Sequence, residues 1–383
     1  MTNEDTSHAL HVDTLIRLSN PWLTSEGAEF LRDRFREHRG DLDWGWLLDQ
    51  AARHRTLPSV GYNAGRFRLH RHPEEATHTI THQWILTAAY EGNRRRNEVM
   101  RTETAAILRT AESLGLPYAL RKGFTLSELL YPDPGVRRMH DVDLLMTRED
   151  AAALGAELAG IGYTQGRLSV DGTEVETFRR STRYFWNLHV NNALPYVKPV
   201  ADPQVESIDV DFCHDLTPAA GPGGEERTKA FLARTVPIEV CGVKARGLCV
   251  EDAVLDLCVH LHKEADSRHY IAMGNDLMLS KFMDVACAVS RTTPEEITRI
   301  AHRVTELGVQ EAVFYTLHYT AELFPGSVPA ALTKAVEPLD RSVLTEYGHL
   351  EGKPAAWVSD FHTRLFSTRR LSEAADARHL PMR

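Results

Sequence analysis

Two short segments in which aspartate alternates with apolar residues constrain the fold of this chain more than any other feature. The first reads Asp141-Val-Asp143-Leu-Leu145, and the second reads Ile208-Asp-Val-Asp-Phe212. Side chains of a β-strand point alternately to the two faces of its sheet. Each segment is therefore predicted to be a strand with one apolar face and one carboxylate face.

The carboxylate faces of these strands form a candidate metal site. Two carboxylates a few ångströms apart repel each other, and a divalent cation between them offsets that repulsion. Ligation by oxygen alone suits Mg²⁺, which binds one or two protein carboxylates together with substrate phosphates and water. If the strands pair side by side, three carboxylates converge, and the third can hold a metal and accept the proton of an attacking hydroxyl. A solvated strand face is the alternative for a lone Asp-x-Asp.

The residues upstream of the first aspartate segment form a candidate phosphate site. A short apolar run ends in Arg121-Lys122-Gly123, and a helix is predicted directly after it, over about 125–130. Glycine lets the backbone approach a phosphate, and a helix N-terminus offers free N–H groups. Lys122 adds a point charge that suits a triphosphate.

Proline- and glycine-rich breaks, the last of them at 219–224, divide the chain into a helical front, a mixed middle and a helical back. We therefore expect an N-terminal helical region over 1–115, an α/β core over 116–220 and a C-terminal helical domain over 221–383.

The apolar patterns inside these regions predict individual elements. A long helix is expected over Pro73–Leu114, and Thr293 is the expected N-cap of a helix that begins at Pro294. The predicted strands are Val142–Met146, Phe185–Val190 and Ile208–Phe212.

Composition and charge exclude several classes of protein. The 383 residues are 43% hydrophobic and 25% charged, as in ordinary globular proteins. The chain has no apolar stretch of membrane-spanning length, and its polar first twenty residues lack a secretory core, so a cytoplasmic protein without a membrane partner is expected. The net charge of −9 disfavours nucleic-acid binding. Five cysteines without a Cys-x-x-Cys pair argue against a zinc site or a disulfide framework.

The segment Leu120–Met146 resembles the uncharacterised nucleotidyltransferase family of the DNA polymerase β-like superfamily. That family's motif runs Leu-Lys-Gly, a short helix, Tyr-Pro-Asp-Pro-Gly-x-Arg and then Asp-x-Asp-Leu-Leu. This chain matches it at Lys122-Gly123, at 131–137 and at 141–145. The later Val-Asp-x-His-Trp pattern is matched in part by Val210–His214, with Cys213 where the family often has histidine. The superfamily's Gly-Ser pair is missing, since Phe124 follows Gly123.

The resemblance implies an enzyme of α+β fold, in which a nucleotidyltransferase-type mixed sheet is flanked by N-terminal and C-terminal helical regions. It implies transfer of a nucleoside monophosphate from an NTP, with ATP as the expected donor, to an acceptor hydroxyl or phosphate. The acceptor stays open between a small molecule, a peptide and a protein. The metal ion is expected to be Mg²⁺ or Mn²⁺.

The roles of individual residues follow from the same resemblance. The expected catalytic metal ligands are Asp141, Asp143 and Asp211, with Asp209 as the alternative third carboxylate. Residues Lys122, Gly123 and Arg137 are expected to contact the triphosphate. For Arg137 the alternative is a salt bridge to Asp133 or Asp141.

Another interpretation of the fold remains beside this one. A catalytically inactive nucleotidyltransferase fold could serve as a binding protein, as an antitoxin or an assembly subunit, although adjacent like charges argue against an inactive site.

Three residues of the C-terminal region are weaker candidates for the site. His260 and Glu264 share one face of a predicted helix, and Asp284 could orient Lys263 or line a cleft. Ordinary hydrogen bonds or ion pairs are the alternative for these residues.

Overall fold

The structure, a computed structural model, describes residues 3–74, 79–217 and 224–374. The chain forms two compact units. The first unit comprises Met1–Arg94, Tyr131–Arg138 and Leu257–Arg383, and the second comprises Arg95–Leu130 and Met139–Asp256.

Within the described residues most strands lie in the middle of the chain, and two short strands lie between the last two α-helices. The α-helices are α1 Asn3–Ser19, α2 Ser25–Glu37, α3 Trp44–Arg53, α4 Leu57–Arg66, α5 Gln83–Leu114, α6 Gly123–Leu129, α7 Arg148–Leu158, α8 Arg180–His189, α9 Gly224–Leu232, α10 Val250–Asp266, α11 Arg268–Met273, α12 Leu279–Val289, α13 Pro294–Leu307, α14 Gln310–Leu323, α15 Ala330–Ala335 and α16 Phe361–Phe366. The strands are β1 Ala119–Arg121, β2 Asp141–Leu145, β3 Thr164–Gln165, β4 Arg167–Leu168, β5 Val175–Glu176, β6 Tyr196–Pro199, β7 Ser207–Cys213, β8 Val236–Val240, β9 Val243–Gly247, β10 Glu346–Tyr347 and β11 Ala355–Ala356.

Seven of these strands form one mixed sheet in the second unit, in the order β3-β6-β7-β2-β1-β9-β8. The pairs β2–β7 and β1–β9 are parallel, and the remaining neighbours are antiparallel. The expected α+β class, with a mixed sheet between helical regions in the sequence, is confirmed. Across the described ranges, no helix has both the length and the apolar character that crossing a bilayer requires.

One face of the two central strands is buried in the apolar core of the second unit. Val142 and Leu144 of β2 and Val210 and Phe212 of β7 are each at most 2% exposed. They belong to one apolar cluster with residues of α5 and α7, namely Ile107, Leu108, Leu154 and Leu158. Burial of this face leaves the alternate residues of both strands on the opposite face of the sheet.

Several elements confirm the predictions from the sequence. The strands predicted around Val142–Met146 and Ile208–Phe212 are β2 and β7. Thr293 caps α13 in a reciprocal capping box with Glu296, and Pro294 is its first residue. The predicted boundary at 220 falls in 218–223, outside the described residues.

Two predicted elements are wrong. The segment Phe185–Val190 is not a strand, because its residues to His189 belong to α8. The alternation of aromatic residues there does not follow burial, since Tyr184 and Phe185 are neighbours and are both exposed. The long helix begins at Gln83 instead of Pro73. Before it, the Thr79 amide donates to the His70 carbonyl at 3.0 Å, which is not the spacing of a helical hydrogen bond.

In the first unit, the turn that follows Tyr131 is fixed by hydrogen bonds to buried side chains. Asp284 of α12, 5% exposed, accepts hydrogen bonds from Tyr131 Oη at 2.7 Å and from Arg137 Nε and Nη2 at 2.8 Å each. Asp133 Oδ1 accepts from Tyr90 Oη at 2.9 Å. The Tyr, Asp and Arg of the Tyr-Pro-Asp-Pro-Gly-x-Arg segment therefore have a structural role, because their contacts hold the turn in place.

Replacing Asp284 with asparagine removes the charge that balances Arg137 while keeping the shape of the side chain. Because breaking a largely buried ion pair leaves an uncompensated charge, we expect the free energy of unfolding to fall by about 2–4 kcal/mol. Chemical denaturation measures this loss. Arg341→Met is the control, because its ion pair with Glu337 is more exposed and should contribute less than about 1 kcal/mol. Unchanged stability of Asp284→Asn would contradict the structural role.

Candidate functional site

The parallel register of β2 and β7 determines which aspartates meet. Asp141 lies opposite Asp209, and Asp143 lies opposite Asp211. Because the apolar residues of both strands are buried on one face, all four aspartates lie on the other face. The convergence expected if the two strands paired is therefore present.

Three of the four aspartates form a cluster. Asp141, Asp143 and Asp211 each offer a carboxylate oxygen, and these atoms lie within 4.8 Å of one another. Among the described residues this is the one group of three or more acidic, histidine or cysteine side chains with such a spacing. Asp209 is outside the cluster, and its Oδ1 accepts a hydrogen bond from Ser207 Oγ at 2.9 Å. The structure thus brings Asp211, and not Asp209, to the first two aspartates.

The cluster is electrostatically strained in the absence of a cation. Burial and the neighbouring carboxylates of Asp141, Asp143 and Asp209 raise the pKa of Asp211 to about 7. Burial and Asp141 likewise raise the pKa of Asp143. Both shifts disfavour the charged form, which is the form that binds a metal.

Arg121 lies beside the cluster but does not neutralise its negative charge, because the guanidinium group is already paired with the buried carboxylate of Asp256. Arg121 of β1 donates through Nε to Asp256 Oδ2 at 3.0 Å and through Nη2 to Asp256 Oδ1. Its Nη1 lies 4.0 Å from Asp143 Oδ1. Burial opposes ionisation of Asp256, yet Arg121 and Lys122 hold its pKa below the ordinary value. The pair is neutral overall, so the negative charge of the three aspartates is largely retained.

Sequence reasoning assigned no role to Arg121 or Asp256. The two residues are 135 positions apart, and no local pattern links them. The signal that could have found Arg121 is the pairing of β1 with β2, which sets Arg121 opposite Asp143.

Lys122 and Gly123 lie at the start of α6, next to the cluster. The positive charge of Lys122 opposes the rise in the pKa of Asp143 that burial and Asp141 cause. The backbone of Lys122 has φ 43° and ψ −125°, which an L-residue rarely adopts. Gly123 follows with φ 35°, and a Cβ on it would lie 3.3 Å from Met139 Cε. The backbone at this corner is therefore tightly constrained.

The remaining candidate residues lie in the first unit. Arg137 donates to Asp284 through Nε and Nη2, a partner other than the Asp133 or Asp141 considered from the sequence. Its contact with a triphosphate stays a prediction.

His260 and Glu264 also lie in the first unit. His260 Nε2 lies 3.1 Å from Glu264 Oε1, and Glu264 also pairs with Lys281. These contacts match the ordinary ion pairs considered as the alternative.

Comparison with known proteins identifies the family to which the chain belongs. A family model described as an uncharacterised nucleotidyltransferase matches residues 40–325, a range that contains β1, β2 and β7. Among solved structures, an antigenic nucleotidyltransferase-like protein from Paracoccidioides brasiliensis is similar over 56% of this chain and 91% of its own, with 15% sequence identity and a TM-score of 0.32. No curated protein matches the chain.

The repulsion inside the cluster predicts that Asp211→Asn stabilises the metal-free protein at pH 8. A carboxyl group whose folded pKa is raised contributes stability that is complete below its unfolded pKa, about 3.9, and is lost as the pH rises through about 7. Removing this group should raise the free energy of unfolding by about 2–4 kcal/mol at pH 8, and by much less at pH 4. Denaturant unfolding at both pH values in the presence of a chelator measures the difference.

The control for this prediction is Asp209→Asn, because Asp209 lies on the same strand but outside the cluster. Asp209→Asn should change the free energy of unfolding at pH 8 less than Asp211→Asn does. A lower stability of Asp211→Asn than of the wild type at pH 8 would show that the three carboxylates do not repel one another in the folded protein.

The backbone of Lys122 leads to a second stability prediction. Lys122→Ala and Lys122→Gly both remove the ammonium group, but only glycine relieves the strain at φ 43°. We expect the glycine variant to be more stable than the alanine variant by about 1–2 kcal/mol. Thermal unfolding of the two variants side by side gives this difference. Equal stabilities would mean that the backbone at residue 122 is not strained.

Proposed function

The chain belongs to the uncharacterised nucleotidyltransferase family, and we propose that it transfers a nucleoside monophosphate, AMP from ATP, to an acceptor hydroxyl or phosphate with release of pyrophosphate. The observation that carries this proposal is the convergence of Asp141, Asp143 and Asp211 on one face of the sheet. Membership of the family supports nucleotidyl transfer in general. The donor base, the metal and the residue roles are our proposals.

The cluster fits a divalent metal ion. Its donors are three carboxylates with oxygens within 4.8 Å of one another, an all-oxygen set of the kind that Mg²⁺ and Mn²⁺ prefer. Burial and the neighbouring carboxylates raise the pKa values of Asp143 and Asp211, which supports the proposal that a cation offsets their charge. Asp141, Asp143 and Asp211 would hold the ion or ions, which when bound stabilise charge on the attacking and leaving oxygens of a phosphoryl displacement.

Asp211 is proposed to accept the proton of the acceptor hydroxyl. Its carboxylate offers an oxygen within 4.8 Å of those of Asp141 and Asp143, so an acceptor hydroxyl held at the cluster lies within reach of this proton acceptor. As the proton moves to Asp211, the acceptor oxygen forms a bond to the α-phosphorus. The bond from the α-phosphorus to the bridging oxygen breaks, and pyrophosphate leaves with that oxygen.

Lys122 and Gly123 are proposed to bind the triphosphate. The ammonium group of Lys122 lies within electrostatic reach of Asp143, so phosphates that approach the cluster meet a positive charge there. Gly123 is proposed to let the backbone at the start of α6 approach a phosphate. Arg137 remains a candidate for this role only if it releases Asp284.

Incubation with α-labelled NTPs tests the proposed function. The protein is mixed with each of the four α-labelled NTPs, Mg²⁺ and a metabolite extract, and the products are separated and identified by mass spectrometry. The proposal expects the α-label on an acceptor and pyrophosphate in equal amount, with ATP as the preferred donor. Binding of NTP without transfer to any acceptor would favour the inactive binding protein instead.

Coupling between metal and nucleotide provides an independent check. Mg²⁺ or Mn²⁺ should raise the affinity for ATP, because an ion held by Asp141, Asp143 and Asp211 would offset the negative charge that the phosphates meet at the cluster. Asp143→Ala should abolish this increase while leaving the weak metal-free affinity in place. Calorimetric titrations with and without Mn²⁺ measure the coupling, and Glu225→Ala serves as an exposed acidic control whose ion pair with Lys229 is on the surface. Metal-independent ATP binding by the wild type would contradict the proposed metal site.

A further inference from the structure

A polar cavity of about 200 Å³ lies beyond the carboxyl ends of the parallel strands β2 and β7. Its lining residues include Thr147 and Arg148, which follow β2, and His214 and Asp215, which follow β7. In sheets with parallel strands, ligands commonly bind outside the carboxyl ends of those strands. The cavity is smaller than the roughly 300–1,000 Å³ of pockets for drug-sized ligands, so its size suits a small ion.

The cavity is separate from the carboxylate cluster. Asp211 precedes His214 by three residues, and Asp143 precedes Thr147 by four. At about 3.3 Å per residue, these separations are roughly 10 and 13 Å along the strands. None of the three clustered aspartates lines the cavity. A small ion bound there would therefore not share ligands with a metal ion at the cluster.

His214 brings to the cavity a ring nitrogen that no described residue uses. The residue is 8% exposed, and its Nδ1 lies 3.0 Å from the carbonyl oxygen of Met146. Because a carbonyl only accepts, Nδ1 carries the proton, and Nε2 of the neutral ring is an acceptor. Burial lowers the pKa of His214, and the positive charge of Arg148 acts in the same direction. The ring is therefore neutral at neutral pH, with the lone pair of Nε2 available to a ligand that donates a proton.

Arg148 adds a positive charge that no carboxylate of the described ranges offsets. Its side chain is exposed and donates there only through Nη2, to the Val190 carbonyl at 3.2 Å. Its effect on His214 places the guanidinium group near that ring. The other donors of this guanidinium are therefore available to an anion.

The start of α7 adds backbone donors at the same end of the sheet. Thr147 is the N-cap, and its side chain accepts from the Asp150 amide. The amides of Arg148 and Glu149 come before that hydrogen bond, and the first amides of a helix have no carbonyl partner within it. Such amides favour an anion.

The acidic residues at the cavity already have partners. Asp215 Oδ2 accepts from Arg227 Nε at 2.9 Å and from Arg227 Nη2 at 2.6 Å, and its Oδ1 accepts twice from Thr217 at 3.0 Å. Glu225 is paired with Lys229 at 2.7 Å. Donors consequently outnumber unused acceptors at the cavity, a balance that suits an oxyanion.

We propose that this cavity binds inorganic phosphate as the hydrogen phosphate ion. Its charged oxygens accept from the Arg148 guanidinium and from the first amides of α7, and its one hydroxyl donates to His214 Nε2. Sulfate has the same shape and charge but no hydroxyl, and a phosphate monoester has lost its last proton at pH 8. The site therefore favours the free ion over both. This proposal is independent of the proposed nucleotidyl transfer.

Isothermal titration calorimetry at pH 8 tests binding, with a chelator present so that no metal at the cluster can attract the anion. Hydrogen phosphate should bind roughly fivefold to a hundredfold more tightly than sulfate or methyl phosphate, because only hydrogen phosphate satisfies the buried acceptor. Equal affinities for the three ions, or no binding of hydrogen phosphate, would overturn the proposal. Tighter binding of methyl phosphate would overturn the assignment to the free ion.

Two substitutions of His214 separate the role of Nε2 from the hydrogen bond that Nδ1 makes. His214→Asn keeps an N–H group for the Met146 carbonyl and removes Nε2, so this variant should bind phosphate and sulfate equally. His214→Gln places an amide where Nε2 was and should retain part of the preference for phosphate. A full preference for phosphate in His214→Asn would show that Nε2 does not contact the ion.

Arg148→Met should weaken the binding of phosphate and of sulfate alike, by about tenfold to a hundredfold, because both ions lose a charged donor. Arg109→Met is the matched control, since it removes an exposed arginine of α5 that does not line the cavity. Arg109→Met and Lys122→Ala should both bind phosphate like the wild type. A loss of phosphate binding in Lys122→Ala but not in Arg148→Met would place the ion at the carboxylate cluster and overturn the assignment to the cavity.

Discussion

The parallel pairing of β2 with β7 in a single register is the interaction on which the candidate site depends. It places Asp143 opposite Asp211 and buries Val142, Leu144, Val210 and Phe212 on the other face. A slip of one residue in either strand would turn its aspartates into the apolar core. Burial of four large apolar side chains contributes about 6–12 kcal/mol at roughly 1.5–3 kcal/mol each. Burial and the neighbouring carboxylates together disfavour the charged form of Asp211 by an amount on the order of 4 kcal/mol, so the core holds the carboxylates together against this cost.

The neighbouring positive charges reduce this repulsion without removing it. Arg121 could neutralise Asp143, but its guanidinium is bound to Asp256. Lys122 contributes a positive charge from a strained backbone position. Strain and unbalanced charge of this kind tend to occur at functional sites, where a ligand relieves them. These features support the proposed binding of a cation and of the phosphates that accompany it.

The sequence predicted the parts of the site that depend on local pattern. Alternation of aspartate with apolar residues is enough to predict β2 and β7 and the shared face of each aspartate pair. The choice between Asp209 and Asp211 depends on strand register, which the motif match favoured and only the fold displays. Contacts between distant residues were missed, since Arg121 and Asp256 are 135 positions apart and Arg137 and Asp284 are 147 positions apart. The prediction of a strand over Phe185–Val190 was wrong because aromatic alternation there reflects an exposed surface of α8, not a buried sheet face.

The most direct test of the account compares Asp211→Asn with Asp209→Asn in the rate of pyrophosphate release from ATP in the presence of Mg²⁺ and acceptor. Both changes keep the shape of the side chain and remove one charge from the same face of β7. The account predicts that Asp211→Asn lowers the rate about a hundredfold or more, the usual effect of losing a general base, whereas Asp209→Asn retains at least roughly a tenth of it. The opposite ranking, or equally mild effects of both changes, would contradict the central role of the three converging carboxylates.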